Sequence, residues 1–185
     1  MAVITLQILK KFYDLHKDTN FWLERNEIRN AVLDYEKVAE YLWDIDEEYS
    51  QKLYDFIHKM EDEMYYTGKR LELKDQIKRQ ISNFIVGFYG KYLYQNDELV
   101  RKMMTLSKNA TQLLNEKRST GEVEARRLQD YIEQYDRKLG EEYYSKIKAI
   151  DYFDPNRFSK YIPIIEQYVG SAVKIAVLRL EEKLR

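Results

Sequence analysis

Two histidines, His16 and His58, carry almost all of the near-neutral acid–base and metal chemistry open to a chain of 185 residues that has no cysteine. His58 keeps the more suggestive company. Asp55, His58, Glu61 and Asp62 fall three or four apart, so a helix puts them on one face, where carboxylates and an imidazole together suit a metal ion. A carboxylate-bridged di-iron bundle needs more: two Glu-x-x-His pairs and two further Glu on facing helices. Here one Asp-x-x-His stands alone. Glu40, Asp44, Glu48 and Asp55 lie opposite Leu42, Tyr49 and Phe56, which makes the stripe a solvated face first and a carboxylate-rich metal or redox site second. His16 closes the first helical pattern and reads as a surface or capping residue, where a cation complements the helix dipole.

Nucleophile and nucleotide signatures are weaker. Ser145-Lys146-Ile147-Lys148 matches Ser-x-x-Lys, but its Ser-Asp-Asn and Lys-Thr-Gly companions are missing. Neither Gly-x-x-x-x-Gly-Lys nor Gly-x-Gly-x-x-Gly occurs. Asn109-Ala110-Thr111 is a glycosylation sequon inside a helical pattern, where it has no use. The expectation is a protein with no catalytic residue and no cofactor, which works by binding.

Charge layout says most about what it binds. Lys and Arg number 31 against 32 Asp and Glu, so no one-signed field surrounds the whole molecule. Locally the balance is uneven: 34–65 holds 11 acids and 3 bases, and 66–118 holds 11 bases and 5 acids. One reading packs the acidic and basic helices antiparallel, their charges flanking a shared seam. The other gathers Lys69, Arg70, Lys74, Lys78, Arg79, Arg101, Lys102 and Lys108 into a basic patch that meets the phosphates of DNA or RNA. Phe84, Phe88, Tyr89 and Tyr92 interleave with these bases, but their spacing assigns most of them to the core rather than to base stacking.

Apolar periodicity supplies the elements that must position these groups. Residues 3–15 read as an amphipathic first helix, ended by Asp18-Thr19-Asn20. Ile28, Tyr35, Leu42, Tyr49 and Phe56 recur every seven residues, with Val32, Ala39, Leu53 and Met60 four further on, which predicts one long helix to about Tyr66. Asp46 intrudes on that stripe, and the acids at 44–48 suit a fresh helix start, so a break there is the alternative. Gly68 supplies the stop. A third helix spans about 69–94, and a fourth is capped by Asn96 or Asp97 with Val100, Met103, Leu106, Ala110 and Leu113 inward. Ser119 and Glu122, at capping-box spacing, open a fifth that runs unbroken to Ile150. Asp154-Pro155 starts the last, which Pro163 divides or kinks. From 164 to 180 that segment is apolar nearly all round, and Gly170, Ala172 and Ala176 allow close helix approach.

Six Gly and two Pro leave too little turn chemistry for a sandwich or barrel of short strands. The expected fold is all-α, an antiparallel bundle of five to seven helices in a single domain over 1–185, with 20–94 as a long helical hairpin and 122–185 as a C-terminal helical part. No secretory leader is legible, and the longest uncharged run, 80–90, is about half of the ~20 residues a membrane span needs. A cytoplasmic protein without membrane contact is expected. Absent cysteine and dense Lys and Glu with 17 Tyr lean towards a thermophile. The tyrosine-rich, mixed-charge texture resembles small helical subunits of archaeal assemblies, replication-complex subunits and CRISPR small subunits among them, in composition and helix pattern only. The functional expectation is a non-enzymatic subunit or adaptor of a larger assembly, nucleoprotein included, in a thermophilic archaeon or its virus. Its partners are protein or a second copy, as in a self-assembling coat, with nucleic acid met through the basic patch.

Overall fold

A computed structural model describes residues 2–25, 27–67 and 74–185, and these form nine helices with no strand among them. The all-α class is what the apolar periodicity demands. Two compact units divide the chain, Met1–Tyr92 and Leu93–Lys183.

In the first unit, α1 (Leu6–His16) begins where the Thr5 hydroxyl accepts the Ile8 amide, and it buries Leu9, Phe12 and His16. After the short α2 (Thr19–Glu24) come α3 (Ile28–Leu42) and α4 (Glu47–Thr67). The heptad positions Val32, Tyr35, Ala39, Leu42, Tyr49, Leu53, Phe56 and Met60 are all buried, yet they do not lie on one continuous helix. The chain turns at 43–46. Asp46 is the hinge: its carboxylate accepts the Tyr49 amide at 3.1 Å, capping α4, and Glu47 and Glu48 follow in the first turn. Ser50 then donates to the Ala39 carbonyl at 2.6 Å, so α3 and α4 form an antiparallel hairpin. A seam that a straight helix would leave for a partner is covered from within the chain.

The next helix is α5 (Lys74–Asn96), and its expected start at Lys69 lies outside the described residues. Gly68 lies outside the described residues. Ile77, Ile81, Ile85, Phe88 and Tyr89 are buried, while Phe84 and Tyr92 are half-buried. Against α4, Phe84 meets Phe56 and Phe88 meets Tyr49, at ring-centre distances of 5.3 and 5.5 Å.

The second unit holds α6 (Glu98–Asn115), α7 (Thr120–Tyr135), α8 (Arg137–Lys148) and α9 (Arg157–Leu184). Asp97 caps α6 by accepting the amides of Leu99 and Val100. Leu114 rather than Leu113 completes its buried stripe. Lys117, with φ 58, reverses the chain in the left-handed conformation that usually selects glycine. The expected helix from 119 to 150 is two. Asp136, extended at φ −157 and ψ 115, ends α7 and caps α8 through the Leu139 amide, so one residue turns the chain. Close approach makes this hairpin feasible: a Cβ on Gly140 would stand 3.0 Å from the Glu133 backbone nitrogen, and between α6 and α7 one on Gly121 would stand 2.9 Å from that of Leu114.

Ser119 forms no side-chain cap, and Pro155 sits in the turn before α9 rather than inside it. Pro163 lies within a helix that continues through it. Tyr161, Ile165, Tyr168, Val169, Ala172, Val173, Ala176, Val177 and Leu180 are buried, while Glu166, Gly170, Lys174 and Arg179 are exposed. The helix is therefore covered along one broad face, not all round. Gly170 takes no part in close packing, since a Cβ there would meet nothing within 4 Å. By length and composition α9 is long and apolar enough to cross a membrane, and 44% of its most apolar stretch is buried inside the protein. Counting uncharged runs passes over it because single charges interrupt its apolar sequence.

Candidate functional site

The residues singled out by spacing do not converge. Asp55, His58 and Asp62 are exposed and Glu61 is half-buried, on the face of α4 opposite Leu53, Phe56, Ile57 and Met60. Asp55 accepts from Gln51 at 2.9 Å. No three His, Cys, Asp or Glu side chains among the described residues are placed to hold a metal ion.

The basic set is divided between the units. Lys69 and Arg70 lie outside the described residues, and Lys74 opens α5. Lys78 is half-buried and Arg79 exposed. On α6, Arg101 donates to the Tyr94 and Gln95 carbonyls at the end of α5, and Lys102 pairs with Glu98 at 3.0 Å. Lys108 is exposed and forms no ion pair with the described residues. Between the acidic 34–65 and basic 66–118 segments runs one ion pair among the described residues, Lys91 to Asp46 at 2.8 Å. Burial raises the Asp46 carboxyl, but the Lys91 ammonium and the Tyr49 amide outweigh that and hold it below the usual carboxylate range. This contact lies within the first unit and ties α5 to the start of α4.

His16 corrects the sequence reading outright. It is buried, with Nε2 2.6 Å from the Tyr89 hydroxyl and Phe12 packed against its ring at 4.8 Å. Burial brings its pKa down to about 4, so it is a neutral core residue at neutral pH. The helical pattern placed it at a terminus and did not show that α5 covers that terminus.

A different constellation emerges in the second unit. Between α7, α8 and the turn into α9 lies a cavity of about 210 Å³, with Arg126 and Lys148 beside Tyr144, Tyr152 and Tyr161. Ile147 and Ile150 complete its lining. The floor is rigid. Ile147 and Tyr161 are buried, and behind them the Tyr143 hydroxyl donates to the Ala125 carbonyl, locking α8 onto α7. Burial first, and the Glu122 carboxylate second, raise the Tyr161 phenol, while Arg126 and Arg157 oppose them, so it keeps its proton at neutral pH.

The loop carrying Tyr152 is built from Asp side chains. Asp151 accepts the Phe153 amide at 3.0 Å, and Asp154 accepts the Asn156 amide at 2.8 Å, each making an Asx turn. Lys160 closes on Asp154. Arg157 bonds Glu122 at 2.8 Å and lies over the rings of Tyr152 and Phe158, 4.6 and 4.5 Å from their centres. Beside this braced loop, Tyr152 is 62% and Phe153 86% exposed. The signal in sequence was two aromatic pairs, Tyr143-Tyr144 and Tyr152-Phe153, flanking Lys146 and Lys148. No periodicity joins Arg126 to them, so local spacing alone does not bring the set together.

The fold and this cavity define an all-α helical protein with a cationic, aromatic-lined recess. No protein-family model, curated protein or solved structure matches the chain.

Proposed function

We propose that the chain is a non-catalytic interaction protein, a subunit or adaptor of a larger assembly that engages an anionic partner through the α8–α9 end of its second unit. The observation that carries this reading is Phe153. A phenylalanine 86% exposed, on a loop braced by two Asx turns and an arginine stack, gains nothing for the fold from its position. It is the kind of rigid aromatic anchor around which binding energy concentrates. Arg126 and Lys148, exposed cations lining the recess with Tyr152, the residue before Phe153, form no ion pair among the described residues, although Arg126 hydrogen-bonds Tyr161, and this favours a partner bearing negative charge. The cysteine-free, Lys- and Glu-rich composition fits a cytoplasmic setting in a thermophilic archaeon or its virus.

Labelled single- and double-stranded DNA and RNA, and a Glu-rich peptide, titrated by fluorescence anisotropy at several salt concentrations, test the reading. Micromolar or tighter binding to any of them that falls with salt and is weakened by Phe153→Ser supports it. A folded chain that binds none of them at low salt contradicts it.

A further inference from the structure

Resting on that reading, we infer that the cavity between α7, α8 and the turn into α9 is a nucleotide pocket, taking one unstacked base of a single-stranded nucleic acid against its tyrosines while Arg126 and Lys148 hold the flanking phosphates. Size, wall chemistry and charge each bear on this. At about 210 Å³ the cavity is smaller than the roughly 300–1,000 Å³ of free small-molecule sites, so it suits one unit of a longer ligand. Three phenols line it, Tyr161 buried at its floor and Tyr144 and Tyr152 exposed, with Arg157 over the Tyr152 ring, and an exposed π-face accepts any base without reading its edges. Phe153, next along the loop and almost wholly exposed, offers a second stacking surface for the neighbouring base.

The charges match a backbone with one phosphate per ring. Arg126 and Lys148 are exposed, and no carboxylate lines the cavity. The nearby acids are committed, Glu122 to Arg157 and Asp151 to the Phe153 amide. Lys148 sits in the last turn of α8, where it complements the helix dipole. That role explains its charge, but not the tyrosines gathered around it. An acidic peptide satisfies the two cations and supplies no regular series of flat rings. A duplex keeps its bases stacked inside and offers the cations only its phosphates, so single strands are favoured.

The test uses the full chain and fluorescein-labelled oligo-dT and oligo-U of about a dozen nucleotides, spanning a few site sizes. Arg126→Gln with Lys148→Gln should weaken binding and flatten the dependence of log affinity on log salt by about 1.4, the share of two phosphate contacts on a single strand. Tyr152→Ala with Phe153→Ala, which removes two stacking surfaces, should weaken binding about 30-fold or more while leaving that slope unchanged. Circular dichroism melts confirm that both variants fold. Oligonucleotide binding that both double variants leave intact overturns the pocket and spares the interaction reading. Salt-sensitive binding of the Glu-rich peptide without oligonucleotide binding does the same. Loss of all binding by the unaltered protein overturns both.

Discussion

Arg157 Nε stands 2.8 Å from Glu122 Oε1, tying the first residue of α9 to the first turn of α7. Glu122 is buried, and the guanidinium compensates its charge while stacking on Tyr152 and Phe158. Removing the cation leaves the carboxylate unpaired in a desolvated position. Arg157→Leu is therefore expected to lower the thermal unfolding midpoint by several degrees, and adding Glu122→Gln to that variant should recover part of the loss. Calorimetry on the three proteins decides it. Equal melting temperatures would mean the pair contributes nothing to docking α9 on α7.

The buried imidazole of His16 gives the first unit a pH dependence with a definite sign. Its folded pKa, lowered to about 4, lies below the 6.5 of an ordinary histidine, so between those values the unfolded chain takes up a proton that the folded chain refuses. Stability is complete above pH 6.5 and falls as pH drops towards 4, by about 3 kcal/mol in all. Urea titrations at pH 7 and pH 4.5 should differ accordingly, and His16→Leu should flatten the difference. A histidine that titrates near its ordinary value by NMR would contradict the burial.

Gly140 and Gly170 should respond in opposite directions to alanine. At Gly140 the new methyl would lie 3.0 and 3.1 Å from the Glu133 backbone nitrogen and Cα, atoms that cannot swing aside, so about 1–3 kcal/mol of destabilisation is expected. At Gly170 the methyl meets nothing, and Gly170→Ala in mid-helix should stabilise by about 0.5–1 kcal/mol. Chemical denaturation measures both changes; a stabilising Gly140→Ala would refute the close approach of α8 to α7, and a destabilising Gly170→Ala would refute the open space at Gly170.

Lys117 pays for its φ of 58 with a side chain that crowds its own carbonyl. Lys117→Gly should relieve this and stabilise the second unit by about 0.5–1 kcal/mol. Unchanged or reduced stability in denaturant would mean the lysine makes a compensating contact.

Much of the fold was legible because burial follows periodicity wherever the helix stays regular. Every heptad residue from Ile28 to Met60 named from spacing is buried except the outermost, Ile28, which is half-buried. Continuity was less legible. A seven-residue repeat survives a hairpin turn when the turn adds a compatible number of residues, so the stripe through 42–49 fits one long helix as well as a break at 44–48, and the Asp46 cap on α4 decides for the break. At Asp136 no break is legible: an aspartate inside an apolar period looks like a surface position, and only Gly140 beside Glu133 reveals that the chain doubles back there. The candidate site was the least legible part. Arg126, Tyr144, Lys148 and Tyr161 lie on three helices and meet only through tertiary packing, which no local spacing encodes. The charge blocks drew attention to 69–108 instead, where Arg101 and Lys102 turn out to be occupied with helix-end carbonyls and Glu98.

The most direct measurement is photochemical: a single-stranded oligonucleotide carrying a photoreactive base is cross-linked to the full chain, and the modified peptide is located by mass spectrometry. Cross-links at Tyr144, Tyr152 or Phe153, suppressed by excess unlabelled strand, are the expected result. Cross-links confined to the basic stretch from Lys69 to Lys108, or none at saturating oligonucleotide, would contradict the assignment of the second unit's recess as the binding surface.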